Sequence, residues 1–235
     1  MYPHAIFERI ARAIEADRLP VVVLDLDSTL FDTAARNHRI LREFAAERAD
    51  PVLVAMVEKV ALTDFGWSVT APLASRGYTD AAAFAALNQF WAARFFTNEY
   101  VAEDHATAGA PAFVRACYER GALIYYLTGR HQGGMEAGTL QALLVRGFPI
   151  LRGRIALHLK PSFHMGDRAF KESAIREIRS LRGEVVATFE NEPGNANMFR
   201  HAFPEAQHWL VGTVCAPEAE ELHGEVMRIQ DFTGV

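Results

Sequence analysis

Short apolar runs bounded by turn residues recur along the chain at Val21 to Leu26, Leu123 to Leu127, Ile155 to Leu159, Val185 to Phe189 and His208 to Val211. Near-continuous apolar runs of this length read as strands buried on both faces. Between the later runs, apolar positions three or four residues apart predict helices over Ala112 to Arg120, Met135 to Val145, Phe170 to Leu181 and Ala196 to His201. Strands alternating with helices of this length imply an α/β chain with a parallel sheet and right-handed crossovers.

The rhythm breaks between the first two runs. From about Thr33 to about Ala108 there is no good strand, and the segment reads as an inserted set of helices. Ala34 to Ala49 and Val52 to Leu62 carry helical periodicity, with Asp50-Pro51 between them. Thr79 is expected to cap an Ala-rich, aromatic helix through Phe96, whose Phe84, Leu87, Phe90, Trp91 and Phe95 form a packing stripe. At the start, Ile6, Ile10 and Ile14 predict an amphipathic helix. Glu8, Arg9, Arg12 and Glu15 interrupt the stretch from Tyr2 to Asp17, so it carries neither a secretory pattern nor a membrane span.

Composition narrows the class. The chain has 235 residues, half of them hydrophobic and 23% charged, enough to bury a full core. A net charge of −5 with no dense basic stripe argues against a nucleic-acid binder; Arg146, Arg152 and Arg154 form only a loose, solvated cluster. Cys117 and Cys215 fit reduced, buried thiols, which makes a cytoplasmic setting the default expectation. The nine histidines show no zinc spacing, and no Gly-rich nucleotide loop occurs.

Candidate chemistry collects at the ends of the apolar runs. The first ends in Asp25-Leu26-Asp27-Ser28-Thr29, with two carboxylates of one strand parity. Like charges that close suggest a cation between them or divided nucleophile and acid roles, although a polar turn also accounts for the run. The second ends in Thr128-Gly129-Arg130, a hydroxyl, an open backbone amide and a cation that together can hold a phosphoryl oxygen. The fourth ends in Glu190-Asn191-Glu192-Pro193-Gly194-Asn195, which offers oxygen ligands for a hard cation such as Mg²⁺, or else a helix start with Asn191 as cap. Lys171 opens a helix, where a cation opposes the helix dipole unless it faces an anion; Lys160, at the end of the third run, competes with it.

In this order the four sites resemble the motifs of the haloacid dehalogenase-like hydrolase superfamily, from about Val21 to Val211. The resemblance implies a doubly wound, Rossmann-like parallel sheet formed by residues 1–32 and 109–235, with an α-helical cap inserted at 33–108. It implies that Asp25 is a nucleophile forming an aspartyl phosphate, and that Asp27 protonates the leaving oxygen and then activates water. Thr128, Gly129, Arg130 and Lys171 or Lys160 would bind the phosphoryl group, with Lys171 favoured. Mg²⁺ would sit on Asp25, the Asp27 backbone carbonyl and a fourth-motif oxygen, from Glu190 or Asn191, with Glu190 favoured for its charge. The family usually supplies aspartates at this last place.

Because Asp27 is present, the resemblance favours phosphate esters over dehalogenation, and Lys59, the one lysine of the insertion, argues against phosphonate cleavage. The expected activity is hydrolysis of a small phosphorylated metabolite, with neither nucleic acid nor membrane as partner and the oligomeric state open. A phosphotransferase or mutase of the same superfamily, or a binding module that has lost turnover, are the alternatives. Trp67, Trp91, Phe65, Arg76 and Arg94 are candidate specificity residues whose facing is undecided.

Overall fold

A computed structural model describes residues 2–151 and 153–234. Helix α1 (Tyr2–Glu15) leads into strand β1 (Pro20–Leu24). A two-residue strand, β2 (Phe31–Asp32), opens a long excursion through α2 (Ala34–Arg48), α3 (Pro51–Val57), a 3₁₀ turn at Leu62–Asp64, α4 (Ala71–Ala74), α5 (Ala81–Phe95) and α6 (Asn98–Val101). Strand β3 (His105–Ala106) pairs antiparallel with β2 and closes it. Regular alternation follows: α7 (Ala110–Glu119), β4 (Leu123–His131), α8 (Gln132–Val145), β5 (Ile155–Lys160), α9 (Asp167–Ser180), β6 (Glu184–Glu190), α10 (Pro193–Ala202), β7 (Gln207–Val211) and β8 (Met227–Ile229).

Six strands form one parallel sheet in the order β5-β4-β1-β6-β7-β8. The chain fills one half outward from β1, then returns to β1 and fills the other, so the order reverses between β1 and β6. In open α/β sheets that reversal leaves a crevice beyond the strand ends where ligands bind.

Each sheet face carries its own core. Val22, Leu24, Ile124 and Tyr126 pack with Ile6 and Ile10 of α1, Phe113 and Cys117 of α7, and Leu143 of α8. Val21, Val23, Tyr125 and Leu127 pack with Phe170, Ala174 and Ile178 of α9 and Phe199 of α10. The helices between β1 and β4 bury a third cluster, including Leu41, Phe44, Leu53, Leu73 and Leu87.

A bulge in β6 decides which face its polar end meets. Val21 pairs with Val185 but Val22 pairs with Ala187, so Val186 is an extra residue. Val185 lies on the α9 face, whereas Val186, Ala187 and Phe189 join the opposite core. Period-two alternation then turns Thr188 and Glu190 toward α9.

Several expectations shift. Ile14 is 48% exposed, and Ala13 completes the buried stripe of α1 instead. Asp80, not Thr79, caps α5, accepting from the Ala83 amide at 3.0 Å. The second inserted helix stops at Val57 rather than reaching Leu62. Cys117 is buried as expected, but Cys215 is exposed. Arg146 donates to the Asp104 carbonyl at 2.9 Å and Arg154 to the Tyr118 carbonyl at 3.3 Å; Arg152 lies outside the described residues. Among the described residues no helix is long and apolar enough to cross a membrane.

Candidate active site

Asp25 directly follows β1 and shares the parity of Val21 and Val23, so its side chain emerges on the α9 face. There Lys171 donates to Asp25 Oδ1 at 2.7 Å and to Glu190 Oε1 at 2.6 Å. All three side chains are buried. Asp25 Oδ2 accepts from Thr29 Oγ1 at 2.9 Å. Thr29 can reach back because the chain turns sharply after Asp27, with Ser28 in the left-handed region at φ 58°. A non-glycine residue rarely adopts that conformation, so the turn is a strained element beside the carboxylates.

Charge is scarce around this triad relative to its carboxylates. Burial pushes the Asp25 carboxyl above its usual range, against the pull of Lys171. Burial also raises Glu190, to about 8, with Lys171 opposing. Among the described residues Glu190 Oε2 is buried without a hydrogen bond of normal geometry, although Asn195 lies near enough to help lower the carboxyl. One cation thus serves two buried carboxylates, an arrangement with room for further positive charge.

Asp27 stands in a different environment. Its Oδ1 accepts from Arg130 Nη2 at 2.6 Å, Arg130 Nε at 3.1 Å and Arg36 Nη2 at 3.0 Å. The same two arginines grip Asp104, Arg130 Nη2 at 2.7 Å and Arg36 Nε at 2.8 Å, with a second, shorter Arg36 contact through Nη2. Burial disfavours ionisation of Asp27, but the flanking guanidinium charges outweigh it and hold the carboxyl down at about 2. About a third of the Asp27 side chain, 32%, still meets solvent. Two carboxylates and two guanidinium groups form a neutral quartet that ties α2 of the excursion to β4 of the sheet.

Above these groups lies a cavity of about 760 Å³ lined by Asp25, Asp27, Thr128, Gly129, Lys160, Lys171 and Asn191. That size suits a small molecule. Lys171 meets Asp25, whereas Lys160 is held by Asp167 at 2.5 Å, so Lys171 is the lysine on the carboxylate. Gly129 lets Asp167 approach, since an added Cβ would lie 2.7 Å from Asp167 Oδ2. Thr128 is buried, and its hydroxyl accepts from the Arg130 amide at 3.2 Å.

Two expected roles do not match the geometry. Arg130, expected at the phosphoryl group, has its guanidinium engaged by Asp27, Asp104 and Thr139. Glu190, expected as a metal ligand, is set by the β6 bulge against Lys171, while Asn191 lines the cavity. Asn191 Oδ1 lies 3.4 Å from Thr29 Oγ1, the hydroxyl that also meets Asp25, and its Nδ2 donates to the Val214 carbonyl at 2.6 Å. Asn191 is not the helix cap either; that position is Glu192.

The donors that converge here are oxygens, which suits a hard cation. Among the described residues no group of three or more His, Cys, Asp or Glu is placed to hold a metal. The Asp25 carboxylate and the Asn191 amide oxygen both lie against Thr29 Oγ1, at 2.9 and 3.4 Å. The excess of buried carboxylate over Lys171 fits a cation at this place.

Arg36, Asp104 and Asp167 escape the sequence reading, and Glu192 enters it only as a member of the oxygen-rich cluster after the fourth run. Only Arg36 left a signal: it falls four residues before Ile40 and eight before Phe44, a charge on the apolar stripe of α2. Asp104 pairs with residues 68 and 26 positions away.

No family model and no curated protein matches the chain. Solved structures do. A phosphatase candidate from Clostridium difficile superposes with a TM-score of 0.52 at 13% identity, covering 86% of this chain and 89% of that one. A candidate haloacid dehalogenase-like hydrolase from Bacteroides fragilis superposes with a TM-score of 0.50 at 14% identity, covering 90% and 96%. The chain has the haloacid dehalogenase-like fold. The Class C acid phosphatase from Bacillus anthracis aligns at a TM-score of 0.43 and 18% identity over 82% of this chain, which spans only 61% of its length. The haloacid dehalogenase-like sheet places Asp25 at the end of the central strand, beside the reversal of strand order.

Proposed function

We propose that the protein is a Mg²⁺-dependent phosphomonoester hydrolase that acts on a small phosphorylated metabolite by nucleophilic attack of Asp25 on phosphorus. The observation that carries the reading is a buried carboxylate, fixed by Lys171 at one oxygen and Thr29 at the other, at the floor of a cavity. A carboxylate held in one rotamer attacks without first being ordered. The excursion from 33 to 108 would serve as the cap, a reading supported by Asn37, Trp67, Trp91 and Phe95 lining the cavity across from Asp25.

Asp25, the Asp27 backbone carbonyl and Asn191 would hold Mg²⁺, whose charge offsets the repulsion between the nucleophile and the phosphoryl oxygens. Lys171 orients Asp25 and presents positive charge to the phosphoryl group. Thr128 and the Gly129 amide would receive a phosphoryl oxygen, a role supported by their place in the cavity lining. Asp27, ionised between Arg36 and Arg130, is ready to accept a proton from the water that releases phosphate from Asp25. To protonate a leaving oxygen first, it must loosen its contact with the arginines.

The test is phosphate release from a panel of phosphorylated sugars, nucleotides and cofactors, with Mg²⁺ and with chelator. Metal-dependent release that Asp25→Asn abolishes is expected. Release by Asp25→Asn at the native rate, or none from any ester, would refute the reading.

A further inference from the structure

The cavity is divided chemically. Its floor holds the charged groups described above, whereas the wall from the excursion has no charged side chain: Trp67, Trp91, Phe95 and Phe96 supply rings, and Asn37 and Asn88 supply amides. Trp91 is fixed, with Nε1 donating to Asn37 Oδ1 at 2.8 Å and its ring 4.6 Å from that of Phe95. Trp67 is 57% exposed although it lines the cavity. An indole left this open forgoes the burial that an aromatic side chain normally gains, and a flat partner would restore it. Arg76 and Arg94 do not approach this wall, being held by Asp64 and by the Phe90 ring and Glu43. Phe65 lines a neighbouring cavity.

The cations of the cavity are all engaged. Lys171 holds Asp25 and Glu190, Arg130 holds Asp27 and Asp104, Lys160 holds Asp167, and Arg168 holds Glu172 and Glu220. The carboxylates of Glu192 and Glu218 also line the cavity, and neither forms an ion pair among the described residues. A second anionic group on a ligand would meet carboxylates and no free counter-charge.

We infer that the aromatic wall is a subsite for a flat ring carried by the alcohol portion of the substrate, and that the site disfavours alcohols bearing a second anionic group. The inference rests on the phosphomonoester reading. Trp67 then acts as a specificity residue that touches the leaving group away from the reacting atoms.

Adenosine 5′-monophosphate and ribose 5-phosphate test it, because both release a primary alcohol of the same kind and only one carries a flat aromatic ring. Stacking of a base on one aromatic side chain is worth roughly tenfold or more. The ratio of kcat/KM for the two should therefore exceed about ten in the native protein, fall toward one in Trp67→Ala, and be largely kept in Trp67→Phe. Adenosine 3′,5′-bisphosphate should be turned over less efficiently than the monophosphate. A native ratio near one, a ratio unmoved by Trp67→Ala, or a bisphosphate used as well as the monophosphate overturns the inference. Calorimetry of the two monophosphates on Asp25→Asn reads the subsite without turnover. Equal affinities there overturn it, whereas tighter binding of the adenosine compound by a protein that hydrolyses no ester leaves the subsite standing and refutes the phosphatase reading alone.

Discussion

Replacing Lys171 by Met keeps most of the side-chain volume but removes the one cation between Asp25 and Glu190, which lie 2.7 and 2.6 Å from its nitrogen. Two buried carboxylates are then left face to face. Breaking a buried pair by removing one partner costs about 3–5 kcal/mol. A domain has only about 5–15 kcal/mol in total, and at about 2–4 °C per kcal/mol for a chain of this size the melting temperature should fall by roughly 6–20 °C. The loss should depend on pH in a definite direction. Glu190 is already raised from 4.5 to about 8 by burial, against the pull of Lys171, and without that pull it rises further. The folded variant then holds a proton that the unfolded chain releases near 4.5, so its stability falls as pH rises from there and recovers on acidification. Urea unfolding with chelator present at pH 5, 7 and 9 measures both effects. A variant within about 1 kcal/mol of the native protein at pH 8, or one whose deficit is the same at pH 5 and 9, would show that Lys171 does not hold the two carboxylates as described.

His208 should give the fold a pH limit of its own. Its ring sits between Thr188 Oγ1 at 2.8 Å and the Phe203 carbonyl at 3.0 Å, and burial lowers it from 6.5 to about 4. Stability is then complete above about 6.5 and is lost as pH falls toward 4, by up to about 3 kcal/mol; His208→Gln should flatten that part of the profile, and an unchanged slope counts against the assignment. In α8, Gly138→Ala should cost about 1–3 kcal/mol in thermal melts, because the new Cβ would lie 2.4 Å from the Asn98 carbonyl oxygen and 2.8 Å from its Cα. Gly133→Ala in the same helix meets nothing within 4 Å and should be neutral or stabilising by up to about 1 kcal/mol, so equal losses at the two positions would refute the packing argument.

The central strands were legible because each is an apolar run bounded by turns, and burial on both faces writes that pattern into composition. Strand β8 escaped because it has three residues, and β2 and β3 because they have two each, lengths at which periodicity carries no signal. Asp25, Asp27 and Lys171 were legible as charges placed against local expectation, two at a strand end and one near the start of a helix. The ion pairs of Arg130 are not legible, because adjacency to Thr128 says where its backbone lies and nothing of which way a long side chain turns. The arginine–aspartate quartet joins residues at 27, 36, 104 and 130, and no local pattern reports such a pairing. Glu190 and Asn191 could not be ordered from sequence because the parity of β6 depends on a bulge that apolar residues on both sides conceal.

That bulge gives β6 one residue more than its ladder with β1 uses. Deleting Val186 would leave each polar residue of the site in the sequence and restore an uninterrupted β6. The pairs Val22–Ala187, Val23–Thr188 and Leu24–Phe189 would then follow Val21–Val185 without a break, so every residue beyond the deletion would keep its side. Glu190 would still turn toward α9, and Lys171 would keep both of its carboxylates. A single-codon loss at this valine would thus be absorbed by the bulge and leave the charges at the nucleophile in place.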